Sequence, residues 1–136
     1  ALFDIALGGH QILLAHVERI VPLQNHPDRV VAYVERGYFS QITAKSLTGG
    51  FGPKAKATAE YLLKKGAVHV VASDTHSTRG LREPWPAGLD ERLGKLVGED
   101  AARLLVYENP TRIVGGQRPL PVEPRPRRSR WLFGGR

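Results

Sequence analysis

The sequence predicts an α/β fold whose strands run parallel. Three apolar runs of strand length occur along the chain, and segments of helical periodicity alternate with them. Alternation of this kind is typical of an open parallel sheet or of part of a barrel. The 136 residues, 41% hydrophobic and 24% charged, suffice for one small globular domain. Because a barrel needs more than three strands, the chain is expected to be part of a larger domain.

The first 43 residues contain one helix end, two strands and one complete helix. Residues 1–10 carry apolar side chains at helical spacing and reach two glycines, as the last turns of an amphipathic helix do. The apolar run at residues 11–15 follows this stop and is predicted as a buried strand. Pro27 suits a first helical turn and is followed by valines on one face, so a helix is predicted to about residue 37. Residues 38–43 are the second predicted strand.

The middle of the chain repeats this alternation. Residues 45–52 are glycine-rich and predicted as a loop, and Pro53 opens a helix that reaches residue 65. The side chains expected on the buried stripe of this helix are Ala55, Ala59, Leu62 and Leu63. Residues 67–72 are the most β-like run in the chain and form the third predicted strand. A polar loop over residues 73–86 follows.

The last part of the chain is predicted as helices followed by a basic tail. Two helices, over residues 87–97 and 99–106, precede a short helical turn at residues 109–116. From residue 117 onward there are six arginines, one acid and four prolines, so this part carries +5 of the net charge of +7. Since proline prevents regular helix, residues 117–136 are predicted as a disordered appendage. Such a tail could contact nucleic acid or an anionic membrane surface, or be solvated without a specific partner.

Two residue types are absent from the sequence, and each absence guides the interpretation. Without cysteine there is no disulfide, no thiolate zinc site and no cysteine nucleophile, so a metal site must use His, Asp or Glu. This composition fits a reducing compartment, and a cytoplasmic location is expected. No apolar run approaches the roughly 18–20 residues of a membrane span, and no secretory leader opens the chain. The sequence has no methionine and starts within a predicted helix, so a fragment or a truncated gene product is expected.

Polar side chains follow the first and third predicted strands. His16 ends the first strand, and Asp74 and His76 come directly after the third. Residues two apart on an extended chain point to the same side, so Asp74 and His76 are expected to face together. Because the carboxyl ends of parallel strands gather ligands and catalytic groups, all three are expected at one mouth. Imidazole with carboxylate favours manganese, iron or zinc over calcium. The alternative is that the three are ordinary polar residues at strand ends.

Arginines near these residues indicate a phosphate-binding function. Arg19 follows His16 by three residues, and its planar guanidinium matches phosphate oxygens. Arg79 and Arg82 lie just past the third strand and could act in the same way. A metal at this mouth would lower the pKa of bound water or polarise a phosphoryl group, so the pattern indicates metal-assisted hydrolysis of a phosphate ester. Residues 46–52 could cradle a phosphate with backbone N–H groups or be a plain loop.

Four stretches of the chain carry a resemblance to a known family. The runs at residues 12–19, 41–52 and 68–76, with Glu108-Asn109-Pro110 near the end, resemble the bacterial CpsB/CapC-type protein-tyrosine phosphatases of the PHP superfamily. The resemblance covers roughly residues 1–118. It implies part of a distorted β/α barrel with a manganese-type cluster. The implied activity removes phosphate from tyrosines of a bacterial kinase that regulates capsular or exopolysaccharide assembly.

The resemblance also implies roles for single residues. His16, Asp74 and His76 match metal-binding positions, and Arg19 matches a phosphate-binding arginine. A further family arginine follows the Asp-x-His motif, and it matches either Arg79 or Arg82. The leading His-x-His motif of the family does not occur here, so residues 1–116 resemble the C-terminal portion of the domain. This chain alone is therefore expected to bind metal poorly and to be inactive or nearly so.

Two other functions stay open at this point. The chain could be a non-catalytic remnant that binds a partner through its basic tail, or a PHP-superfamily enzyme that acts on another phosphate monoester. Ser73 is not expected to be a nucleophile, because no base partner is implied. His69 alternates with valines and is expected to pack beside the sheet.

Overall fold

The computed structural model describes residues 2–76 and 84–124 of the chain. The strands of this part are β1 (Leu13–Leu14), β2 (Phe39–Thr43) and β3 (Val70–Ala72). Its α-helices are α1 (Leu2–Leu7), α2 (Val21–Asn25), α3 (Asp28–Glu35), α4 (Ala44–Leu47), α5 (Gly52–Lys64), α6 (Leu89–Val97), α7 (Glu99–Arg103) and α8 (Asn109–Val114). A 3₁₀ turn (Val17–Arg19) follows β1, and a π-helical turn (Leu104–Glu108) joins α7 to α8.

The three strands form a parallel sheet in which β2 lies between β1 and β3. Leu13 is paired with Phe39 across the first strand pair, and Gln41 with Val70 across the second. Parallel neighbours need crossover connections, and helices supply them: α2 and α3 link β1 to β2, while α4 and α5 link β2 to β3. The prediction of an α/β fold with parallel strands alternating with helices is confirmed.

One hydrophobic core joins the sheet to its helices. Ile42 of β2 is fully buried within it, and the predicted stripe of α5 packs there as expected. The apolar face of α6 repeats every four residues and consists of Leu89, Leu93 and Val97. Burial of a leucine side chain of this kind contributes about 2 kcal/mol. The core therefore fixes where each strand ends, and with it the start of each following loop.

Three stretches differ from the prediction. Helix α2 was not predicted, and α4 lies within a region that was predicted as loop. Both are too short to be stable by propensity alone, so tertiary contacts must hold them. The helices predicted up to residue 106 and from residue 109 are joined without a break by the π-helical turn. Pro110 has no N–H to donate to the preceding turn, so the hydrogen-bond ladder shifts there.

The first eight residues of the predicted tail pack against the body. Residues 117–124 have no regular secondary structure, and Val122 is only 4% exposed within the core. Asn109 is fully buried: its amide donates to the carbonyls of His69 and Leu120 and accepts from the Leu120 N–H. A Cβ on Gly66, which has a φ of 67°, would lie 2.8 Å from the Val122 carbonyl oxygen. The structure thus differs here from the expected disorder, because Val122 packs in the core and Asn109 binds the backbone of Leu120. Residues 125–136, with most of the predicted basic tail, lie outside the described residues.

Helix α1 and strand β1 present apolar side chains to solvent. No residue of α1 is buried, and Phe3 and Leu7 are 67% and 71% exposed. In the described sheet β1 is an edge strand, and Leu13 is also exposed. None of the described helices is long and apolar enough to cross a bilayer.

Candidate functional site

The carboxyl ends of the three strands meet at one edge of the sheet. His16 and the 3₁₀ turn follow β1, α4 follows β2, and Asp74 follows β3. This is the edge where parallel α/β sheets hold their ligands. The candidates within the described residues, His16, Arg19, Asp74 and His76, follow the carboxyl ends of β1 and β3, and β2 separates these two strands.

His16 and Asp74 share an uncommon backbone conformation. Their φ angles are 40° and 53°, and they are the non-glycine residues with positive φ in the described part of the chain. Histidine and aspartate tolerate the left-handed region better than most residues, yet it still costs free energy. Strained positions of this kind gather at functional sites. His16 lies in the turn that follows β1, and Asp74 lies two residues after the end of β3.

Arg19 lies between a carboxylate and an aromatic ring. Its Nη1 atom donates a hydrogen bond to Oδ2 of Asp74 at 3.2 Å, and the two side chains are 27% and 25% exposed. The guanidinium carbon lies 4.1 Å from the centre of the Phe51 ring, within cation–π distance. The guanidinium is therefore held partly out of water, with a fork of N–H donors suited to phosphate oxygens.

The candidate metal ligands are only partly brought together. His76 Nδ1 lies 3.9 Å from Oδ1 of Asp74, whereas the His76 side chain is 67% exposed. His16 is exposed and makes no side-chain hydrogen bond to cap the 3₁₀ turn. Across residues 2–76 and 84–124, no three His, Asp or Glu side chains are grouped so that they could hold a metal. The donor types suit a transition metal, but the described residues do not fit a complete site. Arg79 and Arg82 lie outside the described residues.

Two residues of this region were not singled out by the sequence. Glu18 is fully buried, and its Oε1 accepts hydrogen bonds from the Thr43 N–H and the Ser46 hydroxyl. Phe51 contacts Arg19 from the loop before α5. An aromatic residue between two glycines in a polar loop was the available signal for Phe51. No comparable signal exists for Glu18, because a glutamate beside an arginine is usually solvated.

The glycine-rich loop has little capacity left for a phosphate. The Ser46 hydroxyl is committed to Glu18, and the N–H groups of Gly50 and Gly52 donate to the carbonyls of Lys45 and Gly49. Of the two interpretations of residues 46–52, these contacts favour the plain loop.

His69 packs beside the sheet, as predicted. Burial lowers the pKa of its imidazole to about 4. The Ser40 N–H donates to its Nδ1 atom at 3.3 Å, and the ring meets Phe39 edge to face. His69 is therefore neutral at physiological pH, and it packs as a buried residue at the amino end of the sheet.

Comparison with known proteins agrees with this architecture. Residues 1–115 match the family described as capsular polysaccharide synthesis, CpsB/CapC. The tyrosine-protein phosphatase YwqE of Bacillus subtilis is 33% identical over 132 residues, which are 97% of this chain and 51% of that protein. The tyrosine-protein phosphatase CpsB of Streptococcus pneumoniae is 32% identical over 121 residues, 85% of this chain and 49% of that protein.

A solved structure has the same arrangement of elements. It belongs to a study of the crystal structures of YwqE from Bacillus subtilis and CpsB from Streptococcus pneumoniae, which are called unique metal-dependent tyrosine phosphatases there. The TM-score is 0.77 at 30% identity, and the match covers 91% of this chain and 49% of that chain. The chain thus spans about half the length of the curated relatives it matches. With a family match over residues 1–115 and a shared fold, this chain belongs to the CpsB/CapC family.

Proposed function

We propose that this chain supplies half of a metal-dependent protein-tyrosine phosphatase. The observation that carries the proposal is Arg19, held between Asp74 and Phe51 at the carboxyl edge of the sheet. A partly dehydrated guanidinium at a ligand-binding edge is suited to a phosphoryl group. The similarity to YwqE and CpsB, which are named tyrosine-protein phosphatases, supports the same activity.

Each candidate residue has a proposed part in this activity. Arg19 would bind the phosphoryl oxygens and stabilise the charge that develops on them. Asp74, His76 and His16 would supply ligands to a metal, proposed to be manganese, and residues outside this sequence would complete the set. When bound, such a metal polarises the phosphoryl group and activates water. Either Arg79 or Arg82 would provide a second cation for the phosphate.

The three-stranded sheet is proposed to be a portion of a PHP-type barrel. Edge strand β1 and the exposed apolar side chains of α1 offer a surface that further strands and helices could cover. In this proposal residues 1–116 are the C-terminal portion of the phosphatase domain. Residues 117–124 form its last segment and pack on its core through Val122. The remaining basic tail would lie beyond the domain.

The proposed substrate is a phosphotyrosine on a bacterial kinase of capsular or exopolysaccharide assembly. The family description refers to capsular polysaccharide synthesis, which supports this substrate. Because tyrosine phosphorylation consumes ATP, the proposal places the reaction in the cytoplasm.

The test is hydrolysis of p-nitrophenyl phosphate and of a phosphotyrosine peptide by the longer protein that contains this sequence. Activity is expected to disappear with a chelator, to return with Mn²⁺ and to be lost in His76→Ala. His10→Ala is the matched control, because His10 is an exposed histidine that precedes β1 at the other end of the sheet. Activity that survives both chelation and His76→Ala would contradict the mechanism. A preference for an alkyl phosphate monoester would assign the site to a different PHP-superfamily substrate.

A further inference from the structure

None of the proposed roles in metal or phosphate binding belongs to the buried carboxylate of Glu18. Glu18 is the middle residue of the 3₁₀ turn that follows β1, and its side chain is 0% exposed. Its neighbours differ: His16 is exposed, and Arg19 is partly exposed. His16 precedes the turn in a left-handed conformation, whereas Val17 and Glu18 within the turn are both fully buried. The turn is therefore anchored through its buried residues, and Arg19 at its end is left partly exposed.

The anchor of the turn is a set of three hydrogen bonds, two of which join it to residues distant in the sequence. Glu18 Oε1 accepts from the Thr43 N–H at 3.0 Å and from the Ser46 hydroxyl at 2.6 Å. The backbone carbonyl of Glu18 accepts from Nε2 of Gln24 at 2.8 Å. Thr43 ends β2 and Ser46 lies in α4, so the carboxylate fixes the turn to the end of the central strand. This is also the arrangement that holds α4, which is too short to be stable alone.

A second observation separates Glu18 from an ordinary core residue. Glu18 Oε2 and the Thr43 hydroxyl oxygen are both buried and have no hydrogen-bond partner among the described residues. A buried carboxylate with one oxygen unpaired is costly, and an apolar residue of similar volume would avoid that cost. Such unsatisfied groups are uncommon and call for an explanation beyond packing. Here one of them belongs to the turn that carries Arg19, and the other to Thr43, whose N–H binds the same carboxylate.

We propose that Glu18 is a positioning residue, which orients the 3₁₀ turn through Oε1 so that Arg19 stays between Asp74 and Phe51. The orientation depends on the acceptor geometry of Oε1. The role in phosphate binding rests on the proposed function, whereas the orientation of Arg19 does not. The test therefore has one readout without activity and one with it.

The first readout is the NMR signal of the Arg19 Nε–H, which the ring current of Phe51, 4.1 Å from the guanidinium carbon, is expected to displace from the value of a solvated arginine. Glu18→Ala and Ser46→Ala are expected to return this signal toward the solvated value. Glu18→Gln keeps an oxygen acceptor and is expected to retain the displaced signal. Ser40→Ala is the matched control: Ser40 is also a fully buried serine, but its hydroxyl binds the Ala67 carbonyl near the other end of β2.

The second readout is the split between KM and kcat for p-nitrophenyl phosphate in the longer protein. Ser46→Ala is expected to raise KM about tenfold and to change kcat much less, because a misplaced Arg19 binds phosphate poorly. Ser40→Ala is expected to lower stability to a similar extent and to leave KM unchanged. If the protein does not hydrolyse aryl phosphates, the proposed function fails, and the NMR signal still decides the role of Glu18.

Two results would overturn the proposal. One is an unmoved Arg19 signal in both Glu18→Ala and Ser46→Ala, which would leave Glu18 with a purely structural role. The other is a solvated-type signal in Glu18→Gln, which would show that the Oε1 acceptor is not what orients the turn. If Glu18→Ala does not fold, Ser46→Ala and Glu18→Gln decide the question between them.

Discussion

Arg19 and Asp74 are separated by 55 positions in the sequence, and a hydrogen bond of 3.2 Å joins their side chains. The bond connects the segments that leave β1 and β3, and β2 lies between these strands. It therefore spans the whole carboxyl edge of the described sheet. Both partners are about one-quarter exposed, so the pair contributes little to stability, of the order of 1 kcal/mol or less. Its consequence is the orientation of a guanidinium beside a candidate metal ligand.

Replacement of Arg19 is expected to separate function from stability. Arg19→Lys keeps the charge but loses the planar fork and the stacking on Phe51, so kcat/KM of the longer protein for p-nitrophenyl phosphate should fall about a hundredfold. The free energy of unfolding should change by less than about 1 kcal/mol. Steady-state kinetics and urea unfolding measure the two effects. Arg29→Lys, at an exposed position of α3, is the control and should change neither.

The ring of Phe51 is expected to stabilise Arg19 specifically. A double-mutant cycle of Phe51→Leu with Arg19→Ala should give a coupling free energy of about 0.5–1 kcal/mol in urea unfolding. Phe51→Tyr retains the aromatic face and should preserve the coupling. Additive effects of the two substitutions would show that the 4.1 Å contact carries no free energy.

The backbone at His16 is expected to cost stability. Its φ of 40° is unfavourable for any residue with a Cβ, and its side chain makes no capping hydrogen bond. His16→Gly should therefore be more stable than His16→Ala by about 1 kcal/mol, although both variants lose the imidazole. Thermal or urea unfolding of the two variants gives the comparison. Equal stabilities would mean that the turn relaxes to another conformation.

Acid is expected to destabilise the fold through His69. Burial lowers the pKa of this imidazole from 6.5 to about 4, so between these values the unfolded chain binds a proton that the folded chain does not. The free energy of unfolding from this group is therefore greatest above pH 6.5 and falls as pH drops toward 4, by about 3 kcal/mol at most. His69→Asn removes the titration and should show a shallower loss over that range in urea unfolding. Parallel pH profiles for the two proteins would exclude His69 as the cause.

Asn109 is expected to contribute most of the stability that holds residues 117–124. Asn109→Ala removes three hydrogen bonds and leaves the buried His69 carbonyl and the partly buried carbonyl and N–H of Leu120 without this partner, at a cost of about 2–4 kcal/mol. The loss is measured by urea unfolding, with faster amide exchange at Leu120 as a local readout. Asn25→Ala is the control, because its hydrogen bond to Lys54 is exposed, and it should cost less than about 0.5 kcal/mol. A loss for Asn109→Ala as small as that of the control would contradict the role of this amide.

Much of the fold could be predicted because its signals are local. Apolar runs marked the three strands, and apolar residues at helical spacing marked the buried face of α5. Helices α2 and α4 carry no such pattern. Contacts with distant residues, such as the hydrogen bond of Ser46 to Glu18, hold them, and a local sequence pattern does not reveal such contacts. Residues 117–124 were misjudged for the same reason. Their three prolines indicate disorder, but the buried Val122 and the Asn109 amide keep them on the body.

The sequence by itself determined the alternation of strands and helices, and it placed His16, Arg19, Asp74 and His76 after strand ends. Both follow from short-range periodicity and from the rule that parallel strands end at one edge. Only the tertiary structure decided that Arg19 pairs with Asp74, that Phe51 covers the guanidinium and that Glu18 is buried behind them. These contacts join residues far apart in the chain, and their geometry depends on how the helices pack across the sheet, which no local pattern encodes.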